Sequence, residues 1–146
     1  MMFSKSFGYA IRSILYLALM EEEKDKIQLD EISEELNVPR YFLAKVMNKL
    51  VKEGILDSVK GHNGGFSINE KTLSVKLISI MSLTGESSQF SKCVLQLGKC
   101  NASYPCPIHD RVELLRREWQ ALFKSLTIGD LLKKNENNFM KSLIAI

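Results

Sequence analysis

Proline, glycine, cysteine and histidine are all scarce in this 146-residue chain, at three, eight, three and two copies. So little proline and glycine excludes a collagenous or low-complexity chain. Three cysteines, an odd number within residues 93–106, do not make the framework of a secreted disulfide-stapled domain. Two histidines leave little for acid–base chemistry. There is no phosphate loop, dinucleotide fingerprint or G-x-S-x-G, and no carboxylate pair stands out from the surface acids. Neither an enzyme nor a small-molecule substrate is expected on these grounds. Long apolar runs are missing as well. The longest near the N-terminus, Ile14 to Met20, is seven residues, against the roughly 20 needed to cross a bilayer. The helical-period stretch that contains this run also holds Arg12, and no small-residue cleavage site follows, so it does not read as a secretory signal. The expectation is a cytoplasmic protein without membrane contact. What is present, 45% hydrophobic and 25% charged residues, suffices for one globular domain with a core.

The net charge of +3 is unevenly spread. Residues 21–35 hold eight acids against Lys24 and Lys26, whereas residues 38–65 hold Arg40, Lys45, Lys49, Lys52 and Lys60 against Glu53 and Asp57. One basic stretch inside a nearly neutral chain permits a polyanion partner, although a charge run alone is usually a solvated face.

Phe3, Phe7, Ala10, Ile11, Ile14, Leu17 and Ala18 recur at helical spacing, which predicts an amphipathic helix over 3–20 with Ser4 or Ser6 near its start. An acidic loop follows. Leu29, Ile32 and Leu36 mark a short helix ending near Asn37, and Pro39 suits the first turn of the next. That next helix has an expected buried stripe of Phe42, Leu43, Val46, Met47, Leu50 and Val51, with Gly54 closing it. From Ile55 the period falls to two. Ile55, Leu56 and Val59, then Phe66 and Ile68, flank the segment Lys60-Gly61-His62-Asn63-Gly64-Gly65, a β-hairpin signal with Asn63-Gly64 as the turn dipeptide. Residues 72–84 return to helical spacing through Leu73, Leu77, Ile78, Ile80, Met81 and Leu83. The fold class is therefore mainly α with a small β-hairpin wing: a winged helix-turn-helix over residues 1–85.

Such a unit crosses two helices at a large angle, so that the second lies in the major groove of DNA while the first braces it. Residues 29–36 would brace and 39–53 would read. Pro39, Arg40, Tyr41, Lys45 and Lys49 are the candidate readers on the second helix. Ser4 and Lys5 at the chain start, with Lys60, His62 and Asn63 on the hairpin tip, are candidates for backbone or minor-groove contact. The alternative is a winged fold used for protein contacts without DNA.

Residues 86–107 are rich in Ser, Gly, Asn and Pro and read as a loop. The loop carries C-x6-C-x5-C followed by C-x2-H, so Cys93, Cys100, Cys106 and His109 bring four soft or borderline donors into 17 residues. Thiolates and imidazole suit an iron–sulfur cluster or zinc, although no short C-x2-4-C knuckle begins a zinc site; unligated thiols remain the third reading. Beyond Pro107, Ile108, Val112, Leu115, Trp119, Leu122 and Leu126 alternate steps of four and three, one seam of a helix about 20 residues long. That is a natural dimerisation device, and a two-fold dimer would match a palindromic operator. Packing back on its own domain is the alternative. Residues 108–134 thus form a helix and a further short one (Thr127–Lys133), and the tail 135–146 receives no role.

Four stretches together resemble the Rrf-type bacterial winged-helix regulators. They are Ser4-Lys5-Ser6-Phe7-Gly8-Tyr9-Ala10-Ile11-Arg12 with Leu15 and Leu17-Ala18; the helix pair from Ile32-Ser33 to Leu50; the wing from Val59 to Phe66; and the Cys93, Cys100, Cys106 triplet. The likeness runs from about residue 2 to about residue 132. It implies a homodimeric transcriptional regulator, a repressor, whose cysteine loop packs near the partner's DNA-binding unit. It further implies that the three cysteines hold a 2Fe–2S cluster, with His109 at the fourth-ligand position of one branch. A second branch uses an acidic residue whose place is taken here by Gly8. The family also contains cluster-free members that respond to thiol oxidation, a small molecule or a partner protein.

Overall fold

Ser4 starts the first helix, α1 (Lys5–Met20), with an extended backbone and an Oγ that accepts from the Phe7 N–H, supplying one partner for the orphan donors of a helix N-terminus. The computed structural model describes residues 3–133; the tail 135–146 lies outside them. Phe7, Ala10, Ser13, Ile14, Leu15, Tyr16 and Leu17 are all buried, more than one stripe, because α1 is the central strut of the fold. It packs against the next three helices, the last helix and the hairpin.

The helix-turn-helix follows from local rules. Helix α2 (Leu29–Leu36) ends at Asn37, whose left-handed φ of 51° lets the Val38 N–H reach back to the Ser33 carbonyl at 3.0 Å. Pro39 then caps α3 (Arg40–Lys52), so only three residues separate the helices. Leu43, Val46, Met47 and Leu50 of α3 are buried. Phe42 departs from the expected stripe: it is 52% exposed, because it lies at the edge of the buried arc, an edge left open among the described residues.

Strands β1 (Leu56–Val59) and β2 (Gly65–Ile68) pair antiparallel, with Leu56 opposite Ile68 and Val59 opposite Gly65. The turn differs from the Asn-Gly expectation. Positive φ falls on Gly61 and Gly65 rather than on Asn63 and Gly64, and the Gly64 N–H closes a turn onto the Gly61 carbonyl. The cause is non-local: Ile27 joins the hairpin as a third partner, exchanging both backbone bonds with Phe66 at 3.0 and 2.8 Å. At Gly65 a Cβ would stand 2.7 Å from the Ile27 carbonyl, so only glycine permits the approach.

The helix read over 72–84 is interrupted. Thr72–Ser74 form a single 3-10 turn, Val75 is extended, and helix α4 covers only Leu77–Leu83. The break is imposed from the far end of the chain. The Leu77 N–H donates to the Leu126 carbonyl and the Ile128 N–H to the Val75 carbonyl, both at 3.0 Å, so Lys76 and Thr127 meet as a short bridge. Helices α5 (His109–Ser125) and α6 (Ile128–Leu132) are the last elements among the described residues, α6 opening on a Thr127–Asp130 capping box. Phe123 and Ile128 join the same core as α1–α4, so residues 108–133 are continuous with the winged unit.

Candidate nucleic-acid interface and cysteine site

The basic stretch seen in the sequence lies mostly on α3. Tyr41, Lys45, Lys49 and Lys52 are exposed, with no acid between residues 40 and 52. The Tyr41 ring is held between Phe42, ring centroids 5.8 Å apart and nearly perpendicular, and the Lys45 ammonium, 4.3 Å from the centroid. Arg40 is paired instead with Asp30 on α2. The wing is tied to the same end, because Gln28 Nε2 donates to the His62 carbonyl at 2.6 Å. Gln28 and Asp30 thus bring His62 on the wing tip and Arg40 at the start of α3 to one edge. Lys60 and Asn63 are exposed beside His62. Ser4 and Lys5 are exposed at the start of α1, where the Ser4 N–H donates to Glu86 at 2.8 Å and Phe3 packs on Trp119 and Phe123.

The cysteine loop is folded by its own backbone. The Cys93 N–H reaches the Gly98 carbonyl, the Cys100 N–H the Ser91 carbonyl, and the His109 N–H the Cys106 carbonyl, at 2.9–3.1 Å. Gln96 adopts φ 60° and Gly98 φ 103°, which turns the chain back around Cys93. The four donors line one open cleft of about 390 Å³, and they are grouped two and two. Cys100 Sγ lies 3.0 Å from His109 Nδ1. Cys93 sits beside Cys106, and its thiol is lowered from the ordinary range, foremost by the Leu97 N–H, then by the Leu95 N–H, the Cys106 thiol and the Arg116 charge, against partial burial. All three cysteines are free and partly buried. No three Cys, His, Asp or Glu side chains surround a single point among the described residues.

Two charged residues are structural. Arg116 is 8% exposed; its guanidinium donates to the Lys92 carbonyl and pairs with Glu113, pinning the loop to α5. Glu86 is 2% exposed and anchors the start of α1.

The family model described as Rrf2, iron-dependent transcriptional regulator, matches residues 3–134. The chain belongs to the Rrf2 family. Among its relatives is an HTH-type transcriptional regulator of Aquifex aeolicus, 37% identical over 94% of this chain and 96% of that protein. The HTH-type transcriptional regulator IscR of Vibrio campbellii is 27% identical over 88% of this chain and 75% of its own. In fold, the chain is similar to CymR, the global cysteine regulator of Bacillus subtilis, with a TM-score of 0.71 at 17% identity over 90% of this chain and 95% of that one. The protein is thus a DNA-binding transcriptional regulator with the winged-helix fold, and no helix among the described residues is long and apolar enough to cross a membrane.

Within this Rrf2 chain the α5 seam divides. Of its six residues Leu126 packs against the core, Val112 is half-buried, and Ile108, Leu115, Trp119 and Leu122 stay 36–54% exposed, while Phe123 beside the seam is buried in the core. The exposed Phe42 was missed by the periodicity of α3. Its angular position about 90° from the centre of the buried stripe was the available signal.

Proposed function

We propose that the protein is a cytoplasmic, homodimeric repressor that reads a palindromic operator and senses iron–sulfur status, through a 2Fe–2S cluster held by Cys93, Cys106, Cys100 and His109. The observation that carries this reading is the two-and-two grouping of the donors on one cleft. Each iron of such a cluster takes two protein ligands, and mixed sulfur and imidazole sets occur, whereas a single tetrahedral zinc would need its donors about one point. When bound, the cluster supplies a one-electron, oxidant-sensitive centre. The chain's own residues do the rest. Arg116 fixes the base of the loop on α5, Phe123 fixes α5 to α1 through Phe3 and Phe7, and the exposed seam of Leu115, Trp119 and Leu122 supports a two-fold partner. On this reading residues 1–85 read DNA, 86–107 sense and 108–134 dimerise.

The test is the visible spectrum with iron, sulfide and zinc counts of protein purified without oxygen. About two irons and two sulfides per chain are expected, together with loss of cluster-dependent DNA affinity when Cys93, Cys100 and Cys106 are each changed to Ala. A metal-free protein after reconstitution, or DNA affinity unchanged by those substitutions, overturns the sensing half. The contact of Cys93 with Cys106 favours one second reading, a thiol switch. There, peroxide takes two electrons and two protons from the two thiols, leaving a disulfide and water. A mass loss of two hydrogens, reversed by dithiothreitol and abolished in Cys106→Ser, selects it.

A further inference from the structure

We infer that Phe42, together with Tyr41, reads the methyl groups of thymine in the major groove of the operator, an inference that rests on α3 being the reading helix. Tyr41, Lys45, Asn48 and Lys52 run down the solvent face of α3 at steps of four, three and four, and Phe42 and Lys49 form the row beside them. Tyr41 and Phe42 are 66% and 52% exposed, while Leu43, Val46, Met47 and Leu50 of the same helix are 5% or less. Two large rings therefore remain in water at the first turn of α3, the end of a recognition helix that meets base edges.

Charge selects the occupant of this patch. Four cations and no acid lie on residues 40–52, so a polyanion is complementary where an ordinary protein surface is not. The Lys45 ammonium lies on the Tyr41 face, placing a positive charge beside the rings where a phosphate would come. Ring chemistry then selects the base. Phe42 has no donor or acceptor, so it cannot sense the hydrogen-bonding pattern of any base pair, and the apolar feature of the major groove is the C5-methyl of thymine. Tyr41 is braced by Phe42 on one side and Lys45 on the other, so the pair presents a preformed apolar corner and not two freely rotating rings.

The experiment uses the full chain and duplexes selected from a random DNA pool, once with wild type and once with Phe42→Ala. In the wild-type duplex each thymine is then replaced by deoxyuridine, which removes the methyl and leaves the hydrogen-bonding edge intact. At one or more positions per half-site the replacement should weaken wild type about fourfold, the ratio expected for one buried methyl group, and should leave Phe42→Ala unchanged. Phe42→Leu, which keeps an apolar side chain there, should show a coupling of the same sign. Binding of nonspecific DNA at low salt should be equal in all three proteins, since no cation is altered. Equal losses in wild type and Phe42→Ala, or no loss at any thymine, overturn the inference. A pool from which wild type enriches no sequence overturns the operator-reading proposal itself, and so separates that failure from this one.

Discussion

Replacing Gly65 with alanine strikes the point where wing and helix-turn-helix are joined. The added Cβ would lie 2.7 Å from both the carbonyl carbon and the oxygen of Ile27 and 3.0 Å from the Gln28 nitrogen. The backbone there has φ +140°, which costs an L-residue on the order of 1–2 kcal/mol by itself. Relieving the contact requires moving β2 away from Ile27, which breaks the two Ile27–Phe66 bonds, each worth about 1 kcal/mol net. The sum is about 3–4 kcal/mol, on the order of 10 °C in melting temperature for a chain of this size. Thermal melts of both proteins at one fixed concentration measure it, since association with a partner copy shifts the midpoint. Operator affinity should fall further than nonspecific affinity, because the Gln28–His62 bond depends on the same approach. A Gly65→Ala protein melting within about 2 °C of wild type would refute the reasoning.

Asp30→Asn releases Arg40 from its ion pair. Exposed pairs contribute about 0–1 kcal/mol, so stability should hardly change while DNA affinity rises and its salt dependence steepens by roughly one counterion; a weaker complex in a titration over salt contradicts this. Leu115→Glu puts a charge on the exposed α5 seam, and sedimentation should show a monomer with an unchanged circular dichroism spectrum; a dimer that survives locates the interface elsewhere. Burial, with the Glu31 and Glu35 charges, pushes the Tyr16 phenol up to about 12 from 10.0. A raised folded value leaves the stabilisation intact below pH 10, where the unfolded phenol is also protonated, and removes it as pH climbs from 10 through 12. Urea stability should therefore drop over that window, by at most about 3 kcal/mol, more in wild type than in Tyr16→Phe; parallel curves would assign the loss to other groups.

Much of the fold was legible because it is locally encoded. The Ser4 cap, the Asn37–Pro39 turn, the two helices around it and the hairpin strands each follow from residues within a few positions of one another. The errors share one origin, contacts between segments far apart in sequence. Val75 reads as helical by spacing and is extended because Leu126 and Ile128 pair with its flanks from about 50 residues away. Positive φ settles on Gly61 and Gly65 because Ile27 intrudes on the hairpin. Arg116 falls by spacing on a flank of the α5 seam, yet it is buried, with the Lys92 carbonyl 24 residues earlier accepting from it. At the site, clustering of Cys93, Cys100, Cys106 and His109 was readable from spacing. Their division into two pairs was not, since it depends on the left-handed Gln96 and Gly98 turning the loop.

On the proposed reading, the Ile27–Phe66 bridge joins the two prongs that would meet DNA, wing and α3, into one fork. Wing and α3 share α1 as a backstop, and Ile27 and Gln28 tie the wing to the start of α2, which leads into α3, so the distance between them is set by the fold. Any mismatch between that distance and the grooves must be taken up by bending or twisting the duplex. Sequences that deform cheaply between the major-groove contact and the wing will then be preferred at base pairs that no side chain touches.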